Sequence, residues 1–202
     1  MTTTRQTTTR QTTTRQTTTR QTTAQRWRHL ADEVGRRVDG VPAGRWDDPA
    51  PCEGWVARDV VRHLAEWMPA LYFPAVDLPV PAIPPVDEDP AAAWRATDAA
   101  ISALLADPDL AGRPTSTRAG DMTLEALVAM TGLMDLLVHA WDLARATGQD
   151  ETLDQQEAAA FLAGIEPWDA ALRGSGHYGP RVPVPDGADA LTRLLAFTGR
   201  RP

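Results

Sequence analysis

The stretch Gly132-Leu-Met-Asp-Leu-Leu-Val-His-Ala-Trp-Asp-Leu-Ala-Arg-Ala-Thr-Gly148 predicts a helix at the centre of the protein. At about 100° per residue, its apolar side chains occupy two opposite sides, which is typical of a helix buried among other elements. Asp135, His139 and Asp142 lie on one of these sides, at intervals of four and three residues. Because buried polar groups are costly unless they are paired, these side chains require partners.

Two explanations account for a carboxylate and an imidazole one turn apart in a core. They could share a metal ion, or Asp135 and His139 could form a satisfied hydrogen bond in a metal-free protein. The spacing Asp-x-x-x-His is frequent by chance, so this stretch alone favours the metal-free explanation.

The remaining sequence predicts further helices around this one. The first begins near Ala24 and ends at Gly40-Val-Pro42, and the second covers Val56 to Met68, where Pro69 is expected to stop it. The third follows the N-cap Asp89, and the fourth runs from Thr123 to Gly148. Residues 153–164 and 190–197 are expected to be helical, and no strand is predicted. The proline-rich segment 69–89 is expected to be either a wall over a pocket or a stiff spacer.

The N-terminus differs in composition from the rest of the chain. Thr-Thr-Thr-Arg-Gln occurs four times between Thr2 and Gln21, and without apolar residues this segment cannot bury a face. We therefore expect a disordered tail over residues 1–23 and one helical domain over residues 24–202. A misassigned start codon or a repeat expansion without function explains the tail better than a basic binding arm does.

The charge of the protein restricts its partners. The net charge is −7 over 202 residues, and removing the four arginines of the tail leaves −11 on the domain. This acidity argues against nucleic acid or an anionic membrane as the main partner. From the sequence we expect no membrane-spanning helix, because no apolar run approaches the roughly 20 residues that a bilayer requires. No hydrophobic signal segment follows Met1. The single Cys52 suits a reducing cytoplasm and is interpreted as a packing residue rather than a ligand or nucleophile.

A metal site can be assembled from the predicted helices. His63 points to the same side of the second helix as Val60 and Trp67, and therefore inward. In an antiparallel four-helix bundle, inward side chains of facing helices form the metal sites. His63, Asp135 and His139 would provide three ligands and leave positions for water or substrate, as in catalytic sites. Zn²⁺ is the first choice, with Ni²⁺ and Fe²⁺ as alternatives.

Two signatures resemble a known family. Pro51-Cys-Glu-Gly-Trp55, followed by Arg58-Asp-Val-Val-Arg-His63, and the stretch from Asp135 to Gly148 are similar to the metal-binding domain of mycothiol-dependent maleylpyruvate isomerases. That family belongs to the DinB-like superfamily. The C-terminal sequence Pro183-Val-Pro-Asp to Gly199-Arg also resembles a short-tailed branch of it. The resemblance implies an all-α, up-and-down four-helix bundle with a short C-terminal helical extension, and a divalent metal on His63, Asp135 and His139.

Two departures from the family limit what the resemblance implies. The family is expected to have glutamate where this chain has Asp135, which is one methylene shorter. The isomerases also have a longer C-terminal domain with substrate contacts. The resemblance therefore suggests a metal-dependent S-transferase or isomerase-like enzyme acting on a low-molecular-weight thiol, such as mycothiol, and an electrophile of unknown identity.

Two further residues are candidates for catalysis. Asp142 could orient a ligand histidine or accept a proton, and Arg145 could bind a substrate carboxylate. The alternative, which is favoured, is an ion pair between these two residues along the helix. Other functions remain open: a non-catalytic metal-binding sensor, or a helical scaffold without metal. The oligomeric state is not predicted.

Overall fold

The computed structural model describes residues 21–117, 120–174, 176 and 178–202. Over these residues the protein is mostly helical, with one small two-stranded sheet. The predicted all-α class is therefore confirmed in its main feature. The Thr-Thr-Thr-Arg-Gln repeats lie almost entirely outside the described residues, so their disorder stays a prediction.

The helices begin and end close to the predicted positions. α1 is capped by Thr22, whose side chain accepts from the backbone of Gln25, and α3 is capped by Asp89. The elements are α1 (Thr23–Asp39), α2 (Ala57–Tyr72), α3 (Pro90–Ala106), α4 (Pro108–Ala111), β1 (Pro114–Thr117), β2 (Gly120–Thr123), α5 (Leu124–Thr131), α6 (Leu133–Thr147), α7 (Gln155–Ile165), α8 (Asp169–Gly174) and α9 (Ala190–Phe197).

Four helices enclose the core. α1 packs against α3 and α6, and α2 packs against the same two helices, so the four form a closed ring. On α6, Leu133, Leu136, Leu137 and Leu143 are fully buried. The prediction of a central, buried helix is confirmed, and two of its polar residues, His139 and Asp142, are buried among its neighbours.

α2 does not stop at Pro69, and this prediction was wrong. The helix continues to Tyr72, although proline cannot donate a hydrogen bond to the carbonyl of Ala65. Met68 and Tyr72 are fully buried, and the Tyr72 hydroxyl lies 2.9 Å from the hydroxyl of Thr131. Tertiary packing of the last turn therefore compensates for the missing bond.

The predicted fourth helix is divided at Gly132 into α5 and α6. The Tyr72 hydroxyl comes so close to Gly132 that a Cβ atom there would lie 2.5 Å from it, and 3.2 Å from the Val128 carbonyl oxygen. Only glycine leaves room for this approach. The break was not predicted because its cause lies on another helix.

The segment between α3 and α5, where no strand is predicted, contains α4 and a β-hairpin. β1 and β2 pair antiparallel, with Thr115 opposite Met122. The Thr115 side chain is buried, and its hydroxyl donates to the Met122 carbonyl. Strands of four residues carry too little alternation for sequence patterns to identify them.

The C-terminal segment returns to the core. α9 packs against α7, and Leu194, Leu195 and Phe197 are buried. After α9 the chain turns at Gly199, which has a φ of 94° that favours glycine. This turn directs Arg200 towards α6.

One stretch of the chain is apolar enough to resemble a membrane-spanning helix. Taken together, Leu124–Thr147 is long and apolar enough to cross a bilayer by length and composition, although the sequence was expected to contain no such run. Most of its apolar window is buried inside the protein. The core helix of a folded domain meets the same criterion.

Gly132 provides a test of the close approach between α2 and α6. Gly132→Ala should lower the free energy of unfolding by about 1–3 kcal/mol because the buried Tyr72 ring must move. Gly164→Ala on α7 is the control, since no described heavy atom lies within 4 Å of a Cβ at that position, and it should be neutral or slightly stabilising. Urea denaturation measures both. Equal stability of the two variants would contradict the proposed constraint.

Candidate metal centre

His63, Asp135 and His139 meet between α2 and α6. The Nε2 atom of His63 lies 3.1 Å from one Asp135 carboxylate oxygen, and the Nε2 atom of His139 lies 3.4 Å from the other. The two imidazole centroids are 4.7 Å apart. The structure therefore brings together the three residues that the sequence singled out.

The donor atoms of these residues have spacings that suit one cation. One atom from each side chain can be chosen so that all three lie within 4.8 Å of one another. Tetrahedral ligands are about 3.4 Å apart when each bond is ~2.1 Å long. Two imidazole nitrogens and one carboxylate also form a donor set that Zn²⁺ accepts. By spacing and by chemistry, the site fits a divalent metal.

One side of this centre is open to solvent. The His139 side chain is 5% exposed, whereas those of His63 and Asp135 are 32% and 26% exposed. A structural metal site is closed by its fourth protein ligand. The exposed side here leaves space for water or a substrate atom.

His139 lies between two carboxylates. Its Nε2 faces Asp135, and its Nδ1 lies 2.8 Å from an oxygen of the fully buried Asp142. The latter contact is an ion-pair distance, but its direction is too oblique for a hydrogen bond. Asp142 therefore lies where a carboxylate orients a metal-binding histidine.

The charges within this cluster shift its acid–base equilibria. Burial lowers the pKa of His139, but the carboxylates of Asp135 and Asp142 outweigh burial and raise it to about 9. Burial raises the pKa of Asp142, but the contacts with His139 and Arg200 lower it to about 2. Burial raises the pKa of Asp135 as well, but the neighbouring His139 and His63 outweigh burial and hold this pKa well below the ordinary value. Without metal, His139 is consequently an imidazolium at neutral pH.

Asp142 has two further partners that the sequence did not reveal. Arg200 donates from Nε to one carboxylate oxygen at 3.2 Å and from Nη2 to the other at 2.8 Å. The Cys52 thiol lies 3.5 Å from both Asp142 and Arg200. Burial and the Asp142 charge raise the pKa of Cys52 to about 12, which keeps it a thiol.

Cys52, His139 and Asp142 also have donor atoms close enough to hold a cation. The Arg200 guanidinium already provides positive charge at this place. Because this guanidinium already occupies the Asp142 carboxylate, it would repel a metal ion at this place. The packing role predicted for Cys52 is thus extended to a polar contact with the cluster.

Arg145 lies apart from these contacts. The favoured alternative, an ion pair with Asp142, was wrong: Arg145 pairs with Glu151 at 2.6 Å, and its guanidinium stacks over Trp141 at 4.6 Å. Asp142 instead contacts His139 and Arg200. Residues three apart on a helix can pair, but here both have stronger partners on other segments.

Two tryptophans surround the imidazoles. Trp55 stacks on His139 with a centroid distance of 5.8 Å and an interplanar angle of 16°. The indole nitrogen of Trp67 donates to Asp135 at 3.0 Å. Its position one turn after His63, on the same face, was the available signal. Both rings restrict the movement of the candidate ligands.

Part of the chain is similar to a known protein family. Residues 27–73 match the family described as the mycothiol maleylpyruvate isomerase N-terminal domain. The match covers less than a quarter of the chain. The match contains most of α1, the connector with Cys52 and Trp55, and His63 on α2, and it confirms the resemblance of the first signature. Asp135 and His139 lie outside the matched residues.

Relatives of nearly full length are known in mycobacteria. Two proteins of Mycobacterium tuberculosis, uncharacterized protein MT0763 of strain CDC 1551 / Oshkosh and uncharacterized protein Rv0738 of strain ATCC 25618 / H37Rv, are 29% identical to this chain. Each alignment covers 176 residues, which is 84% of this chain and 92% of the relative. No solved structure matches the chain significantly.

The raised pKa of His139 predicts how the metal-free protein responds to pH. A raised pKa stabilises the folded state below the unfolded value of about 6.5, and this contribution is lost as pH rises through about 9. The lowered pKa of Asp142 has the opposite sign, so its contribution is lost below about pH 4.

We therefore expect the metal-free protein to lose stability between pH 7 and pH 10, as measured by urea denaturation. NMR titration of His139 should give a pKa near 9, and Asp142→Asn should lower it by at least one unit because one carboxylate charge is removed. A His139 pKa below 6.5 in the unsubstituted protein would show that the carboxylates do not dominate.

Proposed function

We propose that this chain is a divalent-metal-binding protein of the DinB-like kind, in which α1, α2, α3 and the α5–α6 pair form the up-and-down four-helix bundle. His63, Asp135 and His139 are the ligands, and Zn²⁺ is the favoured ion, with Ni²⁺ or Fe²⁺ as alternatives. The observation that carries the proposal is the convergence of these three side chains, from two helices, at one partly open point.

The reaction we propose is S-transfer, or a thiol-assisted isomerisation, using a low-molecular-weight thiol of the mycothiol type. The family of residues 27–73 supports this class of thiol. A bound divalent cation would supply a Lewis acid that lowers the pKa of a thiol. The exposed side of His63 and Asp135 is where a thiol and an electrophile would enter. In this proposal, the protein is a cytoplasmic enzyme that acts on small molecules.

The protein's own residues would orient the reacting groups. Trp67 donates to Asp135 and fixes the rotation of its carboxylate, while Asp142 faces the Nδ1 atom of His139. Trp55 covers the imidazoles from one side and keeps water from that side. These contacts hold the donor atoms in place before a ligand arrives, which reduces the cost of binding.

Two other functions are consistent with parts of the geometry. The two carboxylates beside His139 balance the charge of its imidazolium without metal, as in the scaffold alternative. The second imidazole, His63, favours the metal, because an ion pair between Asp135 and His139 does not require it. A metal-binding sensor would have the same ligands as an enzyme and differs from it in turnover.

Metal content tests the ligand set. Purified protein should contain about one divalent ion per chain, and His63→Ala and Asp135→Asn should each reduce this to a small fraction. His29→Ala is the matched control, because His29 on α1 pairs with Asp154, the N-cap of α7, away from the proposed ligands. Elemental analysis at pH 7.5 measures the ratio. A metal-free wild-type protein would support the scaffold alternative, and full metal content in His63→Ala would exclude this ligand set.

Turnover separates the enzyme from the sensor. With mycothiol and a chlorodinitrobenzene electrophile, the protein should form the thioether and release chloride and a proton. The rate should fall to the uncatalysed value after chelation and return with Zn²⁺. Arg145→Ala is the control variant. It should retain activity, because the Arg145 side chain pairs with Glu151 and lies apart from the proposed ligands. Stoichiometric metal without any thiol consumption, across a range of electrophiles, would favour the sensor.

A further inference from the structure

The segment after α9 carries a charged residue into the interior of the protein. The Arg200 side chain is 15% exposed, and it meets Asp142, which is completely buried. Both carboxylate oxygens of Asp142 accept from this guanidinium, through Nε and Nη2. Such two-point contacts fix the orientation of both groups, because the planar guanidinium matches the planar carboxylate.

The same carboxylate contacts the candidate ligand His139. One Asp142 oxygen lies 2.8 Å from Arg200 Nη2 and 2.8 Å from His139 Nδ1, and the Cys52 thiol lies 3.5 Å from it. The other nitrogen of this imidazole, Nε2, faces Asp135. The contacts therefore form a continuous chain from the C-terminal segment, through a carboxylate and an imidazole, to the candidate metal centre.

We propose that Arg200 is a positioning residue of the metal centre: it holds Asp142, which in turn sets the rotation of the His139 ring and aims Nε2 at the ion. This inference rests on the proposed metal site. It means that the centre is built from three parts of the chain, α2, α6 and the C-terminal segment.

Removing Arg200 should weaken metal binding without removing a ligand. Losing a group that orients a metal-binding histidine costs roughly 10–100-fold in affinity. We therefore expect Arg200→Met to raise the Kd for Zn²⁺ by that factor. The Kd of Arg200→Lys should lie between those of the wild type and Arg200→Met, because lysine keeps the charge but loses the two-point contact of the guanidinium. Arg201→Met is the control, since the neighbouring Arg201 is exposed and its loss changes the net charge equally.

A purely structural role for Arg200 would also lower stability, so a second variant separates the two roles. Arg200→Met leaves the buried Asp142 carboxylate without its arginine partner, and the double variant Asp142→Asn/Arg200→Met removes that carboxylate charge. The double variant should recover most of the lost melting temperature in the metal-free state. Its Kd for Zn²⁺ should stay raised by at least tenfold, because the orientation of His139 is not restored.

The experiment uses the full chain, competition with a chelator for the Kd of Zn²⁺, and the visible absorption of bound Co²⁺ as a report on ligand geometry. A changed Co²⁺ spectrum in Arg200→Met, and an unchanged one in Arg201→Met, is the expected result. If Arg200→Met binds Zn²⁺ and Co²⁺ as the wild type does, Arg200 is structural and the inference is wrong. If the wild type binds neither ion, it is the proposed metal site that fails.

Discussion

The contact on which the rest of the site depends is the one between His139 and its two carboxylates. An imidazole buried on a central helix is costly unless each nitrogen has a partner. Asp135 faces Nε2 and Asp142 faces Nδ1, one turn away in each direction along α6. Because His139 and Asp142 are buried and Asp135 is only partly exposed, the surroundings must balance the charges of these groups.

Balance is reached differently on the two sides of His139. Towards Asp142 the chain supplies a permanent cation, Arg200, and the site is closed to solvent. Towards Asp135 the neighbours are the Trp67 indole, which donates a hydrogen bond, and the His63 imidazole, and the side chains are partly exposed. The second side is therefore the one on which the proposed metal ion would bind. In the proposed function, Asp142 is the supporting carboxylate and Asp135 the ligand, although both are aspartates on the same helix.

Sequence patterns predicted the helices and the three candidate ligands because both depend on local spacing. The N-cap at Asp89 and the four-residue interval from Asp135 to His139 are determined within one or two turns of chain. The same reasoning failed at Pro69 and Gly132, where the Tyr72 side chain overrides local preference. It also failed for the hairpin, whose strands are too short to show alternation.

What the sequence determined by itself is the mostly helical class, the buried face of α6 and the residue types able to ligate a metal. These follow from periodicity, which is a property of neighbouring residues. Tertiary structure alone decided which groups support the ligands: Arg200 reaches Asp142 across 58 positions of sequence, and Trp67 reaches Asp135 across 68. No local pattern records such contacts, because they exist only after the C-terminal segment and α2 have packed against α6.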